Sequence, residues 1–376
     1  MTTNALTGTT VLDLSLQLPG PYATMLLRQL GARVIKLEPP DGDPACEIDP
    51  WMYRVLNVGK ERIKLNLRTA LGQRAARQIA GACDVLVEGF RPGVTTRLGL
   101  GYQDLHKDHM RLIYCSISGY GQSGPHRNRG GHDLNFLGLG GGLSGNYAVD
   151  CAQNPIVGSI PMIDLATGGM AAMCILAALR RLEHTGVGEY LDIAMLDQAV
   201  FWSWIKSGGS DRATNGQLRQ EAAYGVFQSA DGKHLSVAAI EDKFWRALCQ
   251  LLGWEDWLSD GSLQQYSARK ARNQEINARL QDAIGKKPRD VWMALMDNAG
   301  VPAACVHNLD DVPGDRQVRE RQLFATDDEG NFVVLPPLPA GWRQTNLRLP
   351  VDERDAEAAL LRDLGLDAAV INELLG

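Results

Sequence analysis

The chain has 376 residues, 45% hydrophobic and 22% charged, with 38 Lys+Arg against 44 Asp+Glu for a formal charge of −6. This soluble-globular composition is long enough for about two domains, and 40 Gly with 17 Pro fall well short of a low-complexity chain. No acidic or basic block reaches five residues, so a polybasic nucleic-acid arm is not expected. The seven cysteines are scattered at 46, 83, 115, 151, 174, 249 and 305, without Cys-x-x-Cys or metal-type Cys/His spacing, and read as free, mostly buried thiols in a reducing compartment. Met1–Gly8 lacks the basic and apolar regions of a secretion signal. The longest strongly apolar run, Met170–Leu179, is too short to span a bilayer. The expectation is a cytoplasmic protein with no metal, no membrane segment and no nucleic-acid partner.

In chain order, Thr10–Ser15, Arg33–Glu38, Asp84–Glu88 and Leu112–Ser118 read as strands, three of them nearly continuous apolar runs of the kind buried on both faces of a parallel sheet. Helices are predicted between them at about 21–30, opened by Pro21 and closed by Gly31, and at about 69–81, opened by Thr69. The alternation predicts βαβ units and a doubly wound α/β sheet. A long helix over about 164–183, a strand at Glu189–Ala194 and a helix through Asp197–Ile205 follow. After Ser207-Gly-Gly-Ser the polar stretch Asp211–Glu221 reads as a linker or loop. Next come a hairpin turned by Asp231-Gly232, helices at about 241–253, 271–286 and 288–299, and a strand at Val301–Val306. The predicted division is a large α/β domain at 1–206, a smaller α+β domain at 207–320, and a C-terminal segment at 321–376 that returns to the large domain.

Few residues carry obvious chemistry. His132 lies beside Asp133 in Gly130–Phe136, abutting the glycine run Gly138–Gly145, where backbone can approach a ligand closely. Gly140, Gly142 and Gly145 match Gly-x-Gly-x-x-Gly in form. However, the turn-rich Asn146–Pro155 does not start the helix that a nicotinamide site would need. Asp164 opens a strongly apolar helix, either as a first-turn or capping carboxylate or as a base or nucleophile on a rigid support. Glu241 is another helix-start acid. Arg91 follows a predicted strand, and Lys60 with Arg62 adds positive charge in what reads as a loop, so an anionic small ligand is weakly indicated. There is no Walker loop and no His-Glu-x-x-His, and Gly121–Pro125 misses the nucleophile elbow at its last position.

Taken together, these stretches resemble the family III CoA-transferases and α-methylacyl-CoA racemases along nearly the whole chain. The matching motifs are Leu18–Pro21, Gly31–Asp43, Asn57–Lys60 with Leu65–Leu67, Asp84–Val94 with Arg97–Gly101, Ser116–Pro125, Asp164–Gly168, Thr185–Glu189 and Asp231–Lys233. The resemblance implies a Rossmann-like large domain, a small domain and an interlocked homodimer. It also implies an acyl-CoA substrate, no cofactor beyond coenzyme A as part of that substrate, and Lys36, Lys60 and Arg91 as phosphate or adenine contacts.

The family divides by chemistry, and the motifs point both ways. Gly131–Phe136 resembles the racemase pattern, in which transferases usually carry Tyr in place of His, and Ala239-Ile-Glu241 also resembles that branch. Asp164-Leu-Ala-Thr-Gly168 is a common transferase rendering. Racemisation needs two acid/base groups flanking an acidified carbon, here expected to be His132 and Asp164, with Glu241 orienting His132 and the Asp164 amide N–H as a candidate enolate donor. In transfer, Asp164 would instead form a mixed anhydride and His132 would have no obligatory role.

Overall fold

The structure, a computed structural model, describes residues 4–143, 158–207, 221–327, 330–344, 347 and 354–375. Cys151, Gly145, Asn146–Pro155 and most of the predicted 211–221 linker lie outside them. The chain divides into two units, Met1–Arg212 with Arg321–Gly376, and Ala213–Glu320.

The first unit is built on six parallel strands: β1 (Thr10–Asp13), β2 (Arg33–Glu38), β3 (Glu61–Lys64), β4 (Val85–Glu88), β5 (Ile113–Ser118) and β6 (Tyr190–Ala194). Their order in the sheet is β3-β2-β1-β4-β5-β6. The continuous apolar runs follow from burial on both faces. Val11, Val85, Val87, Ile113 and Cys115 pack on one side with Leu27 and Ile175, while Leu12, Leu86 and Tyr114 pack on the other with Ile79 and Leu361. The C-terminal residues Ala358, Leu361, Leu364 and Ile371 complete that second layer.

β3 departs from the sequence expectation. Glu61-Arg-Ile-Lys64 reads as a charged loop, yet it pairs with β2 from Ile35 to Glu38. Only Ile63 is buried, and the Arg33 guanidinium holds Glu61 across the pair at 2.9 Å. As the edge strand it needs one apolar residue, not a run.

Helices begin and end where local chemistry dictates. Pro19 opens Pro19–Gln29 at its first position, and Gly31 leaves it at φ +102°. The Thr69 hydroxyl accepts the Gly72 N–H at 3.1 Å and caps Ala70–Gly81. Met162–Thr185 is, by length and composition, long and apolar enough to cross a membrane, because Ala, Gly and Thr extend the shorter run seen in sequence. Its Ala171, Ile175 and Ala178 are buried in the layer against the sheet.

The second unit has an antiparallel sheet of β7 (Tyr224–Gln228), β8 (His234–Ala238) and β9 (Ala303–Cys305), with the hairpin turning at Gly232 (φ +76°). Helices Asp242–Leu252, Asn273–Ile284 and Arg289–Ala299 bury Trp245, Leu280 and Trp292 beside Trp254 and Trp257.

Candidate active site

An open parallel sheet binds ligands beyond the carboxyl ends of its strands, where the strand order reverses. Here that point lies between β1 and β4, and a cleft of about 240 Å³ opens there. The loop after β1 (Leu14–Gln17, Pro19, Gly20) and the residues after β4 (Gly89, Phe90) form its floor. His132 and Asp164 both line it.

His132 is exposed and immediately precedes the helix Asp133–Leu139. Its backbone N–H donates to Asn135 Oδ1 at 2.9 Å, which accounts for the His-x-x-Asn spacing. Gly131 before it cannot carry a side chain, since a Cβ there would stand 2.8 Å from the Phe136 ring. The glycine run therefore works differently from a dinucleotide loop: the helix precedes the glycines and ends at Gly140.

Asp164 sits in the first turn of Met162–Thr185, partly buried. The residue ahead of that helix is Pro161, which offers no capping side chain. The cap comes from elsewhere: Asp133 Oδ1 accepts the N–H of Ile163 at 2.6 Å and of Asp164 at 3.1 Å. This corrects the expectation that the Asp164 amide could serve an enolate oxygen, because Asp133 already occupies it. Burial, with the Asp133 charge added, pushes the Asp164 carboxyl up to about 7. Asp133 thus ties the His132 segment to the Asp164 helix, a role the sequence signalled only through the missing cap at Pro161.

The lysines expected to hold phosphate do a different job. Lys36 and Lys60 are buried. Lys36 Nζ donates to Ser15 O at 2.9 Å and pairs with Asp43 at 3.0 Å. Lys60 Nζ lies within 3.0 Å of Asp13 Oδ2, Pro21 O, Thr24 Oγ1 and Asn57 Oδ1, more acceptors than it has protons. Burial alone would raise the Asp13 carboxyl, but Lys60, Lys36 and the Ser15 and Thr24 hydroxyls bring it to about 2. Burial lowers Lys60 to about 8. Both ion pairs brace the cleft floor: Asp13 Oδ1 accepts the Ser15 N–H at 3.0 Å, and Asp43 accepts that of Gln17 at 3.1 Å. Gln17 is held there at φ +64°, a strained backbone for a non-glycine residue.

Arg91 is exposed, with its guanidinium beside Gly130, two residues from His132. Glu241 belongs to the Ala213–Glu320 unit, where it is exposed and precedes the helix Asp242–Leu252.

Residues 6–352 match CoA-transferase family III. The chain is 31% identical to the acetyl-CoA:oxalate CoA-transferase of Acetobacter aceti over 94% of each chain. It is 30% identical to the human alpha-methylacyl-CoA racemase over 93% of this chain and 90% of that enzyme. A CAIB/BAIF family protein from Brucella suis superposes with a TM-score of 0.82 at 28% identity, covering 96% of this chain and all of that one. A parallel sheet with its cleft at the order reversal, joined to matches of this extent, establishes that the chain belongs to CoA-transferase family III, which includes both CoA-transferases and racemases.

Proposed function

We propose that the protein is an acyl-CoA racemase that inverts the carbon next to the thioester of a 2-methylacyl-CoA. The supporting observation is a single cleft lined by an imidazole and by a carboxyl held at about 7. Proton exchange with a weak carbon acid is fastest with groups that gain and lose protons near the working pH, and the Asp164 carboxyl is of that kind. One removes the α-proton while the other delivers a proton to the opposite face, and the roles exchange with substrate configuration. In this reading Arg91 meets the CoA phosphates, and two chains associate as a homodimer through the apolar residues exposed on the helix Met195–Ser207.

A second reading, transfer of CoA between carboxylic acids through an anhydride on Asp164, is supported by the transferases among the relatives. One experiment separates the two. The protein is incubated with one enantiomer of a 2-methylacyl-CoA in D₂O, with and without a labelled free acid. Deuterium at the α-carbon with loss of optical purity, abolished by His132→Ala, is expected. Label from the acid entering the thioester, with hydroxylamine trapping an acyl group on Asp164 and no α-deuterium, overturns the racemase reading.

A further inference from the structure

A second and larger hollow, about 380 Å³, lies in the same unit, lined by residues next in sequence to those of the cleft. The chain segments that build the cleft also build this hollow. Leu18 lines it between Gln17 and Pro19 of the cleft floor, and Pro161 and Leu165 line it around Asp164. Trp51, Met52 and Val55 of the helix Pro50–Asn57 form its far wall. Among the described residues that line it, Asp49 alone is charged, and one of its carboxylate oxygens accepts the Met52 N–H at 2.9 Å. No lysine or arginine lines either the hollow or the cleft among the described residues.

We infer that this hollow takes the hydrocarbon part of the acyl group, and that the substrate class is an apolar acyl-CoA rather than a dicarboxylic one. The inference rests on the reading that the thioester reacts at Asp164. Pro161 and Leu165 stand three residues before and one residue after Asp164, so an acyl group whose carbonyl reacts at Asp164 starts close to the lining of the hollow. An alkyl tail gains by leaving water there. A terminal carboxylate would lose its hydration among apolar walls, find no cation, and face the like charge of Asp49. Oxalate, succinate or malate, as the names of several relatives print for those proteins, lack the hydrocarbon to fill such a space.

Binding can be measured without any reaction by titrating the full-length protein with unreactive S-alkyl-CoA thioethers of two to ten carbons and with their ω-carboxyalkyl counterparts. Calorimetry should show Kd falling about four-fold for each added methylene until the hollow is full, the fold-change expected for moving a CH₂ out of water. Each ω-carboxyalkyl thioether should bind at least ten-fold more weakly than the alkyl thioether of equal length. Val55→Asp and Leu165→Ala should both flatten the chain-length series. A flat wild-type series overturns the inference, whether because a second copy of this chain covers the hollow or because tails lie elsewhere; so does equal or tighter binding of the ω-carboxylates. Loss of α-deuterium exchange alongside a retained chain-length series would instead remove the racemase reading and leave the acyl site standing.

Discussion

Asp133 does two things to Asp164 at once: it adds a like charge, and it occupies the amide N–H groups that would otherwise favour the ionised carboxylate. In the direction where Asp164 accepts the α-proton, kcat/KM should fall as pH drops below about 7; in the reverse direction it should fall as pH rises above about 7. Asp133→Asn keeps an oxygen for both amides and removes the charge. Both limbs should then move down by about one pH unit, as pH–rate profiles from each enantiomer would show. An unmoved limb would assign it to another group. Arg91→Ala should raise KM roughly ten- to hundred-fold with kcat nearly kept, the size of a charge-assisted hydrogen bond to phosphate. At this scale the sequence pointed to His132 and Asp164 because each sits in a short contiguous motif of its own, Gly131–Phe136 and Asp164–Gly168. It could not expose the burial of Lys36 and Lys60, since a lysine between strands looks the same whether its ammonium meets a ligand or an aspartate contributed by a distant segment.

At the scale of elements, β1 and β4 carry the cleft floor, and each ends in a buried acid. Asp13 is paired with Lys60, so Lys60→Met should leave a buried carboxylate without its ion-pair partner and cost about 3–5 kcal/mol in urea unfolding, a loss of stability rather than of CoA affinity in the folded fraction. Glu88 is different: burial pushes it up to about 7, although it accepts the Phe90 N–H at 2.8 Å. A raised folded value means that the folded state holds the proton longer than the unfolded chain. Stability contributed by Glu88 is therefore full below about 4.5 and lost as pH rises to about 7. Glu88→Gln keeps the acceptor for Phe90 and removes the titration, so the stability difference between pH 5 and pH 8 should shrink by about 2–3 kcal/mol. An unchanged difference would place the titration elsewhere. The buried strands were legible because two-sided burial writes a nearly continuous apolar run, whereas β3 was hidden because an edge strand needs only Ile63.

For the molecule as a whole, the parallel direction of the sheet strands follows from alternation of strand and helix in the sequence, since parallel strands require crossovers, while their order does not. What pattern alone does not reveal is which apolar faces stay uncovered after the chain has folded. The helix Met195–Ser207 exposes Val200, Phe201, Trp202, Trp204 and Ile205, which fall on more than one side of it. A helix apolar around its circumference is normally buried, and a lone soluble chain rarely leaves so much aromatic surface in water. Association with a second copy would cover it. Sedimentation at micromolar concentration should give twice the 41.0 kDa chain mass for the wild type. Phe201→Glu combined with Ile205→Glu should shift it to the single chain, because two like charges one helical turn apart cannot pair with each other and cannot enter an apolar contact unpaired. A wild-type protein sedimenting as one chain, or a double variant still sedimenting as two, would place the contact on another face and leave this helix unexplained.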